Sequence, residues 1–390
     1  MLDTVVITLS EGMFTIMDHD RFEPSARILT EGSGYLGGRG YMTCKQNPTS
    51  SELHSGYYKP RLTLTKRILG KGKLGLALKI ELSLPKLMFG NNFDELTVSD
   101  FDLVAEKLLK VLKEMGVYVF MYVLKNAPIS SVHYSKNVPL TDGRTPHYFL
   151  NKLSEANTSM LLDVNKSDYR NDGHLYKLHA NSFEIAFYDK IRDLEASKVS
   201  DKRAVEKDNE LQLGLFDDLS KRKFFEVLRV EIRLGKRAKI RQVFKKIGFA
   251  VEPTFQNVFR SDISTAVIHH YLEDIQSKRP AILDYKNSGA RRFITEVRIA
   301  NPQTSNAELL KMYGLKQALE EVSLRELREM LGHGRDRGWY RLIEKVNNLK
   351  LPQRIDPLTE IIEKIKVYSP LHLVDYKEHL INNDKYQSSI

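Results

Sequence analysis

The sequence predicts an α+β protein, with an antiparallel sheet in the first part of the chain and a helical region after it. Three observations predict this. Apolar residues alternate with period two in several separate segments before residue 235, the pattern of half-buried strands. Beyond about residue 276 the pattern becomes helical, with capping and stop signals. The chain has 390 residues, 42% of them hydrophobic and 9% aromatic, which suits a globular protein with room for two domains.

The elements follow in order. Asp3 to Leu9 is an apolar, β-branched opening strand. Gly32 to Gly40 is a glycine-rich loop, but no Gly-Lys-Ser/Thr follows it, so it is not a phosphate-binding P-loop. In Leu74 to Leu84, residues Leu76, Leu78, Ile80, Leu82 and Leu84 point one way and Lys79, Glu81 and Ser83 the other, until Pro85 and Gly90-Asn91-Asn92 end the strand. Thr97 or Ser99 caps a helix running to about Met115, with Val104, Leu108, Leu109 and Leu112 as its apolar stripe and Gly116 as its stop. Val117 to Lys125 reads as a fully buried strand. Ile129 to Asn137 reads as another, with Val132 and Tyr134 on one face and His133, Ser135 and Asn137 on the other.

Tyr176 to Lys190 contains the most informative stretch, Phe183-Glu184-Ile185-Ala186-Phe187-Tyr188-Asp189-Lys190. Its alternation puts Phe183, Ile185 and Phe187 on one face and sets Tyr188 beside Lys190 on the other. A phenol beside a cation suits phosphotyrosine chemistry, because positive charge favours phenolate and stabilises a phosphoryl oxyanion. Residues 194–222 are highly charged without alternation and predict a mobile insertion or a charged helix. A strand returns at Phe224 to Leu234, with Val230, Ile232 and Leu234 opposite Arg229, Glu231 and Arg233. In the helical region, Ser323 with Glu326 is a capping box opening a helix that Gly332 ends. Another helix covers Gly338 to Asn348, and Pro352 and Pro357 precede a final one. No repeat of fixed period is visible.

Net charge is +10, which points to a polyanion partner, nucleic acid first and an anionic membrane surface second. The densest cationic stretch is Lys221-Arg222-Lys223 followed by Arg229, Arg233, Lys236, Arg237, Lys239, Arg241, Lys245 and Lys246, the pattern of a phosphate-contacting surface. No apolar run reaches the roughly 18 residues of a membrane span, and the first residues lack the basic n-region of a signal peptide. Cys44 is the lone cysteine, which excludes a disulfide framework and a thiolate zinc site and makes the cytoplasm the expected compartment.

Three polar strand faces can therefore meet on one sheet: His133 with Asn137, Tyr188 with Lys190, and Glu231 between two arginines. Together they would offer a nucleophile, ligands for a hard cation and phosphate-binding charge, the parts that phosphodiester cleavage requires. Alternation alone leaves His133 open to being a sheet-edge histidine, and Glu231 to being a cross-strand partner of Arg229 or Arg233.

The runs Ser83-Leu84-Pro85-Lys86-Leu87 through Phe89-Gly90-Asn91-Asn92, Ser131-Val132-His133-Tyr134-Ser135-Lys136-Asn137, Phe187-Tyr188-Asp189-Lys190 and Leu228-Arg229-Val230-Glu231-Ile232-Arg233-Leu234 resemble the replication proteins of filamentous phages and related plasmids, and the wider replication initiation factor group. The resemblance covers roughly residues 1–275. It implies an antiparallel-sheet nicking domain of the HUH-like, replication-initiator type at 1–275, interrupted by the insertion, and leaves the helical domain 276–390 for DNA or partner binding. By this resemblance Tyr188 is the nicking tyrosine and Lys190 its companion, while Glu231 is the acidic ligand of Mg²⁺ or Mn²⁺. His133 stands where the family has an aspartate, and His179-Ala180-Asn181-Ser182 stands where it has a Gly-Ser-Arg-x-Ser turn. Arg229, Arg233, Lys236, Arg237, Lys239 and Arg241 would hold DNA phosphates. The implied activity is rolling-circle initiation in a bacterial host cell, in which tyrosine nicks origin DNA to leave a 5′-phosphotyrosine and a free 3′-hydroxyl. A relaxase of a conjugative element uses the same chemistry, and a non-catalytic DNA-binding regulator would use only the basic strands. A tyrosine recombinase is disfavoured by the lack of an ordered Arg/His/Arg set.

A second motif lies in the insertion. Gln212-Leu213-Gly214-Leu215-Phe216 matches the peptide with which bacterial proteins dock on the replicative sliding clamp, an apolar plug on a solvated segment. A hydrophobic anchor onto its own domain is the alternative. Ser323 to Asn348 could form a helix-turn-helix or a plain helical hairpin, with Arg335, Arg337, Arg341 and Lys345 near its second helix. Trp339 reads as packing, His333 as a loop residue, and His269-His270 as poor geometry for one metal.

Overall fold

A computed structural model describes residues 1–31, 35–36, 40–41, 43–49, 52, 57–68, 74–141, 143–155, 166–170, 173–196, 226–278, 282, 285, 288–331, 337–351, 357–366 and 369–373. The fold is α+β. The chain divides into two compact units, one of residues 1–144, 181–268 and 368–390, the other of 145–180 and 269–367. Residues 145–180, which the sequence assigns to the sheet domain, thus group with the C-terminal helices. The cause is packing: the helix Pro146–Glu155 contacts the helix Pro357–Lys366. The helix Ser261–Lys278 runs from the first unit into the second, so no linker marks residue 275.

The first unit is built on strands β1 (Leu2–Ser10), β2 (Thr43–Gln46), β3 (Arg61–Ile68), β4 (Leu74–Ser83), β5 (Ile129–Leu140), β6 (Phe183–Asp189) and β7 (Glu226–Leu234), in the order β6-β7-β5-β1-β4-β3-β2. Every pairing among them is antiparallel. Ile185, Phe187, Val230, Ile232, Val132, Val5 and Ile7 are all buried at 0–1% exposure, so the alternation seen in the sequence does define an apolar face. Tyr134 lies in that layer, where its hydroxyl donates to the Val258 carbonyl at 3.2 Å. Phe101, opening the helix Phe101–Glu114, packs edge-on against Phe255 and near Phe259. Thr97 and Asp100 form a capping box just ahead of that helix.

Two local expectations change. After Ser83 the chain does not simply stop. Leu84–Phe89 forms a helix with Pro85 in its first turn, a position where a missing N–H costs nothing, and Gly90 closes it at φ 72°. Val117 to Lys125 is not a buried strand: Val117–Tyr118 is a two-residue ladder and Met121–Lys125 a short helix, with Tyr122 78% exposed. Consecutive apolar residues there mark a surface turn, a pattern that periodicity cannot separate from a buried strand. Gly116, at φ 75°, makes that turn possible, since an added Cβ would stand 2.7 Å from Asp18 Cβ.

The second unit is helical apart from the hairpin Lys166–Arg170/Leu175–His179. Its core gathers Phe293, Val297, Leu309, Met312, Leu319 and Val346. Two helices form where the sequence places them, Leu324–Met330 and Arg337–Asn347, and Ser323 caps the first by accepting from the Glu326 N–H; the connection between them lies outside the described residues. Among the described residues, no helix is long and apolar enough to cross a membrane. The clamp-like peptide with Gln212, Leu213, Leu215 and Phe216, most of the charged insertion, His333 and Arg335 lie outside the described residues.

Candidate active site on the polar sheet face

The polar side of β5, β6 and β7 carries the candidate site. Register sets the rows: Tyr188, Arg229 and Asn137 are neighbours across three strands, then Ala186, Glu231 and Ser135, then Glu184, Arg233 and His133. Side chains of alternate residues on paired strands share a face, so one register brings the candidates together. The small Ala186 leaves room beside Glu231.

Glu231 is the centre. Arg233 donates to it from Nε at 2.8 Å and from Nη2 at 3.2 Å, Tyr188 donates its hydroxyl at 3.0 Å, and His133 Nδ1 lies 3.4 Å away. Arg233 reaches Glu184 as well, at 2.8 Å. Burial opposes ionisation of Glu231, but Arg233, with His133 and Arg229 behind it, outweighs burial and holds the carboxyl well below its usual range. Burial and then the Glu231 charge push the Tyr188 phenol well above its usual value. The resting pair is therefore a neutral phenol donating to a carboxylate. The cluster opens to solvent at its edge, since the side chains of His133 and Arg233 are 24% and 31% exposed.

Arg229 and Lys190 take other places than the sequence assigns them. Arg229, read as a surface phosphate contact, is 2% exposed. Its Nη2 donates to Asp3 at 2.8 Å and Ser135 at 2.9 Å, and its Nη1 to Asn137 at 3.0 Å and the Asn92 carbonyl at 3.1 Å. This guanidinium is a fastener between strands and the 90–95 loop, and no DNA phosphate can reach it. Lys190, read as a companion of Tyr188 on the polar strand face, is the first residue of the helix Lys190–Ala196 and is 0% exposed. The strand ends at Asp189, so alternation no longer sets its direction. Its Nζ donates to Asn92 Oδ1 at 2.6 Å.

Burial, and then the Arg229 charge, pull the Lys190 pKa from 10.5 to about 7. Above pH 7 the folded protein holds a neutral amine where the unfolded chain still binds a proton. Stability accordingly rises with pH from about 7 towards the ordinary lysine range, by at most about 1.4 kcal/mol per pH unit. Lys190→Met is expected to flatten that rise, as read from urea midpoints between pH 7 and 9.5; an unchanged slope would remove Lys190 as its source.

The remaining cations surround the exposed helix Arg237–Lys246. Lys236 precedes it, Arg237 and Arg241 share Glu252 at 3.2 and 2.6 Å, and Lys239 lies over the Phe183 ring at 4.6 Å. Ile240, Val243 and Phe244 bury the opposite stripe, which leaves the basic face outward.

The donor set fits a divalent cation poorly as it stands. His133 and Glu231 meet, but both Glu231 oxygens accept from Arg233, which fills the cation position. No group of three His, Cys, Asp or Glu side chains suited to a metal occurs among the described residues. His179 pairs instead with Asp168, at 3.4 Å in the hairpin of the second unit.

Sequence reasoning missed Asp3, Glu184 and Glu95. Glu184 was on the polar face by alternation, and its partner Arg233 stands opposite it in register. Asp3 had one signal, a carboxylate opening an otherwise apolar strand. Glu95 had none: it is 3% exposed in a loop, accepts the Asn137 N–H at 2.7 Å and pairs with Lys136. In comparisons with known proteins, no family model, no curated protein and no solved structure matches this chain.

Proposed function

We propose that the first unit is a DNA-nicking domain of a replication initiator, with Tyr188 as its nucleophile. The observation that carries the reading is the contact of the Tyr188 hydroxyl with Glu231, in a cluster that also holds His133 and Arg233 and is open to solvent.

The chemistry follows from those groups. Tyr188 Oη attacks the phosphorus of a strand phosphate, the bond from phosphorus to the 3′ oxygen breaks, and a 5′-phosphotyrosine forms. The phenol proton passes to Glu231, and the departing 3′ oxygen takes a proton from solvent. A phosphate entering the cluster competes with Glu231 for the Arg233 guanidinium. Losing that partner raises the proton affinity of Glu231 as the phenol must lose its proton. Arg233 then stands against the charge that builds on the phosphoryl oxygens. No step is assigned to Mg²⁺ or Mn²⁺, because the donors fit such an ion poorly. Lys236 and Arg237 stand at the positive end of the basic helix, where backbone N–H groups add to their attraction for phosphate, so affinity should fall steeply with salt.

The test is incubation of the full chain with labelled single-stranded DNA from its own replicon, in Mn²⁺ and in EDTA, followed by denaturing electrophoresis. A label that stays with the protein supports the reading, and the EDTA lane tells whether a divalent cation takes part. No retained label in either lane overturns it. A non-catalytic DNA-binding regulator has one observation in its favour, the saturation of Glu231 by Arg233, and it predicts salt-sensitive binding with no covalent product.

A further inference from the structure

The second unit contains a cavity of about 540 Å³, within the about 300–1,000 Å³ of small-ligand sites. Its walls come from the helices Asn306–Glu321, Leu324–Met330 and Arg337–Asn347. Met312, Leu342 and Trp339 give it an apolar lining; Trp339 is partly buried and packs against the core of the unit, as the sequence led one to expect, while also lining the cavity. Four cations stand around it, Lys311, Arg328, Arg341 and Lys345, against one carboxylate, Glu308. Lys345 pairs with Glu308, which leaves three positive charges in excess. Among the described residues neither Lys311 nor Arg341 has a carboxylate partner, and both are exposed. Arg328 lies against Tyr340, its guanidinium 6.0 Å from the ring centroid and 3.4 Å from the hydroxyl, and has no carboxylate partner among the described residues.

We infer that this cavity binds a nucleotide, its base against Trp339 and its phosphate held by Lys311, Arg328 and Arg341. The reasons are physical. An apolar recess lined by an indole suits a planar ring, and base–aromatic stacking contributes about 1–3 kcal/mol per base. Three cations without a carboxylate partner around the cavity favour an anion next to that ring, and guanidinium groups match phosphate geometry in particular. Glu308 does not repel the ligand, because Lys345 and Ser305 hold its charge; the same contacts bring its pKa down to about 2. The ligand is either a free mononucleotide or one nucleotide of a single strand, which share this chemistry. The site is separate from the Tyr188 cluster and stands whether or not that cluster is catalytic.

Trp339 is the only tryptophan in the chain, so indole fluorescence of the full-length protein reports on this cavity alone. The probes are dAMP, dTMP, a ten-residue oligothymidylate, deoxyadenosine and inorganic phosphate, with calorimetry in parallel so that binding silent to fluorescence is still detected. The expected result is saturable quenching by dAMP and dTMP or by the oligomer, weakened by salt, with deoxyadenosine and phosphate at least tenfold weaker. Saturation by mononucleotides identifies a free-nucleotide site; saturation by the oligomer alone identifies a single-strand site. The variant K311A/R341A, both changes being at exposed positions, should keep its helical circular dichroism and lose at least tenfold in affinity. Absence of binding by both methods overturns the inference, as do equal affinity for inorganic phosphate and unchanged affinity in the folded double variant.

Discussion

Arg229→Met is expected to destabilise the first unit by about 3–5 kcal/mol, the range for removing one partner of a buried ion pair. The guanidinium joins Asp3 on β1, Ser135 and Asn137 on β5 and the Asn92 carbonyl. Methionine fills much of the volume but leaves the Asp3 charge buried without its cation. The urea midpoint should fall accordingly. The double variant Asp3→Leu with Arg229→Met should recover part of the loss, because replacing both members of a buried pair by apolar groups is far less costly than removing one. A loss of less than about 1 kcal/mol in Arg229→Met would mean that the buried network does not fasten these strands.

The second large effect concerns activity. Tyr188→Phe removes one hydroxyl and nothing else, and is expected to lower adduct formation by more than about a thousandfold, as losing a covalent nucleophile does. Binding to DNA should be nearly unchanged, since the cations of the Arg237–Lys246 helix are untouched. Stability should change by only about 0.5–1.5 kcal/mol, one hydrogen bond, because Arg233 and His133 still contact Glu231. Adduct formation that persists in Tyr188→Phe would move the nucleophile to another residue.

Much of the site was legible because strand alternation is a strict rule. Once Tyr188, His133, Glu231 and Arg233 were assigned to polar faces, antiparallel register was enough to bring them together. Legibility ended where the rule ended. Lys190 has the parity of Tyr188 but follows the last strand residue, and helix geometry turns it inward to Asn92. Arg229 obeys the parity of its strand, yet no local pattern tells that four acceptors from distant segments cover it. The 117–125 segment is apolar enough for a buried strand, and only the turn at Gly116 shows it as a surface helix. Residues 145–180 join the helical unit through a contact with 357–366 that lies some two hundred residues away along the chain.

The same distinction separates the two ends of the basic stretch. Arg229 and Arg233 belong to the sheet, one as a structural tie and one as a member of the cluster, whereas Arg237, Lys239 and Arg241 belong to a solvent-facing helix that Lys236 precedes. Charge counting treats these six alike; their environments give them three different tasks.

If Tyr188 is the nucleophile, its phenol takes up a DNA phosphate. The most direct measurement is mass spectrometry of the protein after reaction with single-stranded origin DNA, nuclease trimming and proteolysis. One peptide containing residues 183–190 should carry a nucleotide-phosphate mass on Tyr188. A modification confined to a different tyrosine, or none under conditions where the DNA is cut, would contradict it.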